Sequence, residues 1–148
     1  MISIVQNIVS QARKLKDLHT DQKNAPVNYA CIFSQSDDEY QRLEAMVAKI
    51  GKVIQSTKMG NVYLVESFET VAGPLRIVKI RKPDPNRPER GDADFTVSDY
   101  PAFKKAYLDK PGFKLIERPG HEMIELADKD FDVLAYFSHP ILEKVLGL

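Results

Sequence analysis

The sequence holds no tryptophan, one cysteine, three histidines and seven glycines, and each scarcity removes a class of function. A single thiol, Cys31, can form no disulfide within the chain, and a four-cysteine metal site is excluded by count, so a reducing cytoplasm is the expected setting. The histidines, at positions 19, 121 and 139, are not paired at a metal-chelating spacing. Among the glycines there is no phosphate-cradling loop, no dinucleotide fingerprint and no nucleophile elbow, which leaves nucleotide-dependent chemistry without support. Charge of one sign is also missing. Twenty-one basic residues balance 21 acidic ones, so no summed field attracts a nucleic acid or an anionic membrane. No apolar run approaches the roughly 18 to 20 residues that a membrane-spanning helix needs. The first residues lack a basic start and break into Arg13, Lys14, Lys16 and Asp17, so they are expected to belong to the fold and not to a secretory signal.

What is present suits one globular domain: 148 residues, 43% of them hydrophobic and 28% charged, enough to bury a core without disulfide or metal staples. Val5, Ile8, Val9, Ala12 and Leu15 recur at spacings of three and four, with Lys14 and Lys16 on the opposite side, which predicts an amphipathic helix over about 2–18. The remaining chain then reads twice. In the first pass a strand over 27–34 leads to Ser36 or Asp37 as N-cap and a helix over about 38–50, with Leu43, Met46, Val47 and Ile50 as its buried stripe. Gly51 follows as a left-handed cap, and strands are expected over 53–58, 62–68 and 75–80. The second pass repeats the order: a strand over 93–98, a cap at Ser98 or Asp99, a helix over about 101–109, Gly112, and strands over 114–117, 123–127 and 133–137.

Between the passes lies Lys82-Pro83-Asp84-Pro85-Asn86-Arg87-Pro88-Glu89-Arg90. Its prolines cannot donate to a sheet ladder, which makes it a stiff surface connector. The expected organisation is one domain over 1–148, with an N-terminal helix in 1–20, a first strand-helix-strand-strand-strand module over 26–81, the connector over 82–91 and a second module over 92–148. The fold class is α+β: two βαβββ modules forming a curved, mostly antiparallel sheet or half-open barrel, with a short C-terminal helix.

A duplicated βαβββ module resembles the vicinal oxygen chelate superfamily, which includes glyoxalase I, extradiol dioxygenases, epimerases and resistance proteins. The stretch from Ala25 to Leu148 is similar to the YecM family, through Gly60-Asn61-Val62-Tyr63-Leu64-Val65, Leu75-Arg76-Ile77-Val78-Lys79 and the closing Leu142-Glu143-Lys144-Val145-Leu146. The resemblance implies an open concave site. Superfamily enzymes hold one divalent metal there, on His and Glu of the first and last strands of each module. In this sequence those positions fall at Asn28, Lys79, Asp94 and Tyr136. An ammonium repels a divalent cation, and an amide and a phenol replace imidazole and carboxylate poorly, so no metal or other cofactor is expected.

Strand alternation sets Asn28 beside Ala30, groups Leu75, Ile77, Lys79 and Arg81, and groups Asp92, Asp94 and Thr96. If these faces line one concavity, Lys79 binds a substrate oxygen or carboxylate, Asp94 serves as base or orienting partner, Asn28 and Tyr136 complete a polar pocket, and Arg81 favours an anion. The structural alternative is a buried Lys79–Asp94 ion pair. Alternation sends Arg76 to the other face. His121 and Glu125 share a strand face about 13 Å apart, too far to chelate alone, so His121 reads as a loop or edge residue. His139-Pro140 marks a strand-to-helix turn, and Cys31 reads as a packed core thiol. The leading expectation is a small-molecule binder for an anionic ligand. The alternatives are a metal-dependent lyase, isomerase or dioxygenase of the same superfamily, and a protein-interaction module. The resemblance also implies exchange of modules between two chains, which the proline-rich connector permits, so a homodimer is compatible with the sequence.

Overall fold

The computed structural model describes all 148 residues, Met1–Leu148. Chain order is α1 (Ile2–His19), β1 (Val27–Phe33), α2 (Asp37–Ala48), β2 (Gly51–Thr57), β3 (Gly60–Thr70), β4 (Gly73–Arg81), β5 (Gly91–Phe95), α3 (Tyr100–Tyr107), β6 (Phe113–Arg118), β7 (His121–Leu126), β8 (Val133–His139) and α4 (Leu142–Val145). The eight strands form one mixed sheet in the order β2-β3-β4-β1-β5-β8-β7-β6. Outward from the centre, the first module runs β1, β4, β3, β2 and the second β5, β8, β7, β6. The modules are thus topological copies, joined by an antiparallel β1–β5 pair. Within each, the first and last strands pair in parallel and the other neighbours are antiparallel. β2 and β6 remain as unpaired edges, so the sheet is open. No helix is long and apolar enough to cross a membrane.

Helices α1, α2 and α3 cover one face, and the short α4 lies at one end of the other. Val5, Ile8, Val9, Ala12 and Leu15 of α1 are fully buried in a 24-residue apolar cluster with Ala30 and Ile32 of β1, Val78 and Ile80 of β4, Ala93 and Phe95 of β5, and Ala135 and Phe137 of β8. Phe103 of α3 closes the second module against Phe137, ring centroids 4.4 Å apart. Ser36 caps α2 by accepting from Glu39 N–H, and the acidic first turn suits the helix dipole. Asp99 caps α3 by accepting from Ala102 N–H.

Several sequence expectations are corrected. Lys16 is not solvated but 0% exposed. The chain turns back after α1, so that its Nζ donates to Gln22 O at 2.5 Å and to Asp17 Oδ1 at 2.6 Å, and it lies 5.2 Å from the Phe95 ring centroid. A long aliphatic stem allows an ammonium to sit among apolar groups once its protons are used. α2 ends at Ala48, and its buried stripe narrows to Leu43 and Val47, because Met46 and Ile50 are each 46% exposed. Gly51 begins β2 and does not adopt positive φ, whereas Gly112 does at 90°. At Gly51 a Cβ would lie 2.7 Å from Leu64 O, so closeness to β3 demands the glycine there. The connector is anchored and not merely stiff: Arg81 pairs with Asp84 at 3.0 Å, Arg87 with Glu125 at 3.0 Å and Arg90 with Glu39 at 2.6 Å.

The contrast between α1 and α2 is measurable. Ile8→Ala is expected to cost about 2–5 kcal/mol by leaving a cavity under the sheet centre, and Met46→Ala less than about 0.5 kcal/mol, read as urea midpoints at constant slope.

Candidate functional site

The uncovered face carries a cavity of about 350 Å³, within the range of small-molecule sites. Every strand contributes to its wall: Gln55 and Thr57 from β2, Val62 from β3, Lys79 and Arg81 from β4, Tyr29 from β1, Asp92 and Asp94 from β5, Tyr136 and Ser138 from β8, His121 and Met123 from β7, and Arg118 from β6. One cavity can touch all eight strands only if the sheet curls around it. Pro140, Leu142 and Val145 add an apolar wall at the C-terminal end.

Strand register sorts the polar groups into rows, because directly opposed residues share a face. One row runs Lys79, Cys31, Asp92 across β4, β1 and β5. The next runs Tyr29, Asp94, Tyr136, Glu125 across β1, β5, β8 and β7. Alternate positions of β1 fill this side, with Cys31 and Phe33 in a small apolar cluster against Leu134, Tyr29 and Tyr136.

Of the five site residues expected from sequence, Lys79, Arg81, Asp94 and Tyr136 line this cavity. Asn28 does not. Tyr29, opposite Asp94, takes the wall position in alternation with Cys31 and Phe33, and Ala30 turns into the helix-side core; the irregularity between Val27 and Tyr29 puts Val27 in that core as well. Asn28 reaches Asp94 instead, its Nδ2 donating to Asp94 Oδ1 at 3.0 Å and to Thr96 Oγ1 at 2.9 Å. Nor do Lys79 and Asp94 form the ion pair that was the structural alternative. Asp94 is 5% exposed and accepts from Asn28 and from the backbone N–H and hydroxyl of Ser138, whereas no carboxylate lies within 4.0 Å of Lys79. Arg76 also departs from simple alternation. Leu75, Val78 and Ile80 all enter the helix-side core, so the pattern breaks opposite the irregularity in β3, and Arg76 bonds Glu143 of α4 at 2.5 Å.

Residues outside the expected set complete the site. Asp92 is 8% exposed, and its Oδ1 is buried without a hydrogen-bond partner. Burial, then the charge of Asp94, pushes its carboxyl up to about 8 against the opposing pull of Lys79 and Arg81. Asp94 rises only to about 6, because donors from Ser138 and Asn28 offset its burial. Glu125 accepts from Tyr136 OH at 2.6 Å and from Arg87 at 3.0 Å. Burial, then Asp92, raises the Tyr136 phenol, and burial raises the Cys31 thiol, so neither ionises near neutrality. His121 begins β7 on the cavity wall and not in a loop. Its neighbour Glu122 points away, to Tyr100 and Lys104 at 2.8 Å each. Alternation from Asp94 leads directly to Asp92; Arg118 and Ser138 carry no comparable signal in the sequence.

A divalent metal does not fit these residues. No three His, Cys, Asp or Glu side chains converge to hold one, Lys79 brings a positive charge to the floor, and the Asp94 oxygens are already bonded. The floor instead holds two carboxyls of unequal acidity, Asp94 ionising before Asp92 as pH rises.

Asp92 sets a pH dependence of stability. In the unfolded chain it ionises near its ordinary 3.8 and in the folded chain at about 8, so the unfolded state sheds the proton first and stability falls as pH rises across that window. Asp92→Asn removes this contribution. Its melting temperature is expected to exceed that of the parent by a margin that widens from pH 5 to pH 8, followed by circular dichroism; a constant margin would contradict the assignment.

No protein-family profile matches the sequence, and a search of curated proteins gives no match. Solved structures do resemble it. A structural-genomics protein designated EC4020 superposes with TM-score 0.76 at 11% identity over 99% of this chain and 89% of its own. Glyoxalase I from Zea mays gives 0.45 at 19% identity over 76% of this chain and 42% of its own, and methylmalonyl-CoA epimerase from Mycobacterium tuberculosis gives 0.46 at 11% over 80% and 91%. The likeness to EC4020 is one of fold: an open eight-stranded α+β sheet.

Proposed function

We propose that this chain is a glyoxalase-like protein of the vicinal oxygen chelate superfamily, on its YecM-like branch, and that its cavity binds a small anionic molecule through protein donors and not through a metal. One observation carries the reading. On the cavity side, the Lys79 ammonium has no ion-pair partner while the Asp92 carboxyl, in the same row, has a buried oxygen with no hydrogen bond. Unsatisfied buried polar groups cost stability, and a ligand carboxylate satisfies both: it accepts from the neutral Asp92 hydroxyl and is countered by Lys79. Val62, Met123, Leu142 and Val145 suit a hydrocarbon portion.

A second reading, proton transfer on the bound ligand, is favoured by the separated titrations of Asp92 and Asp94, since an acid and a base differing by environment divide the two roles. Nuclear magnetic resonance of a bound carboxylate in D₂O decides it: deuterium entering beside the carboxyl supports it, and no exchange discards it.

Calorimetric titration with butyrate tests the binding reading. Lys79→Ala is expected to weaken binding about 10- to 100-fold, as loss of a charge-assisted contact does. Affinity is also expected to fall as pH rises through about 8, where Asp92 ionises and repels the anion. Binding indifferent to both Lys79→Ala and pH would overturn the proposal.

A further inference from the structure

The cavity holds a second unpaired cation, far from the first. Arg118 ends β6 and His121 begins β7, joined by the two-residue turn Pro119–Gly120, with Gly120 at φ 80°. The two are direct cross-strand partners, so their side chains share a face, and both line the cavity. The only hydrogen bond of the Arg118 guanidinium is to the carbonyl of Glu117, at 3.2 Å. By contrast Arg81 is engaged by Asp84 at 3.0 Å and packs over the Phe33 ring at 4.9 Å. The wall therefore offers two unpaired cations, Lys79 on β4 and Arg118 on the β6–β7 hairpin, the second beside the His121 ring.

These points lie on opposite walls. From β4 to β7 the sheet passes through β1, β5 and β8, and four steps of about 4.8 Å span about 19 Å along its surface. Curling brings the walls towards each other, and the long lysine and arginine side chains close much of the rest, which leaves a gap that a ligand with a charge at each end would bridge. Between them Asp94 is held by hydrogen bonds from the neutral Asn28 and Ser138, and Glu125 is paired with Arg87. No carboxylate lies within 4.0 Å of either Lys79 or Arg118.

We infer that the ligand carries two anionic groups, one held by Lys79 and the other by Arg118 with His121, joined by a short apolar chain over the β1–β5 floor. This deepens the binding reading and rests on it. A two-ended ligand gains from both contacts at once only where its length matches the span, so affinity depends on chain length as well as charge.

Calorimetric titration of the full chain with the α,ω-dicarboxylates from malonate to pimelate, beside monocarboxylates of equal carbon number, tests it. Dicarboxylates are expected to bind about 10- to 100-fold tighter than their monocarboxylate counterparts at one intermediate length. Lys79→Met and Arg118→Gln, each with an unchanged circular dichroism spectrum, should each bring that dicarboxylate down to the monocarboxylate level. Equal affinities for the two series, or a dicarboxylate affinity indifferent to Arg118→Gln, overturn the inference and leave the single-anion reading standing. No binding by either series overturns both.

Discussion

The structure depends on the antiparallel join between β1 and β5. Each module alone would be a four-stranded sheet with its most buried strand at an edge, and β1, Val27–Phe33, would present unpaired backbone groups along a run of buried residues. Pairing the two edges satisfies both ladders at once and brings Cys31 against Asp92 and Tyr29 against Asp94. It also creates the one surface on which residues of both modules meet. The core and the candidate site are thus opposite faces of the same join: α1 packs under it, and the cavity lies above.

Most of the fold was legible because most of it follows local rules. The spacing of Val5, Ile8, Val9, Ala12 and Leu15 defines the buried face of α1, and short apolar runs bounded by glycine, proline or aspartate locate the strands. What escaped are features set by tertiary contact. Lys16 is buried because the chain returns to cap its ammonium with a carbonyl, which no periodicity reports. Met46 and Ile50 fit a helical stripe, yet no element covers that side of α2.

The site shows the same division. Lys79, Arg81, Asp94 and Tyr136 are reachable by alternation from strand assignments, and they stand on one wall. Alternation from Tyr29, Cys31 and Phe33 would turn Asn28 into the core, but the irregularity between Val27 and Tyr29 lets it reach Asp94, because one extra residue inverts the side chains before it. Arg76 is redirected in the same way, opposite the irregularity in β3. Arg118 and His121 could not be assigned from sequence because lining one cavity with Lys79 requires the sheet to curl, a property of the assembled halves. The buried Asp92 is a local cost that folding alone gives no reason to keep, and unsatisfied groups of this kind concentrate where a protein meets a ligand.

The order of the strands has a consequence for how the chain acquires its shape. Ala30 pairs on one side with Val78 and on the other with Ala93, so the central strand finds its neighbours roughly 50 and 60 residues downstream, and long-range closure of this kind slows folding. During synthesis the whole first module emerges before any of β5 exists. Until then β1 can pair only with β4, and its other edge is open to whatever strand arrives first. β5 of the same chain and β5 of another emerging beside it both fit that edge, and the short connector tied down by Arg81, Arg87 and Arg90 favours the former by keeping the correct strand close at hand.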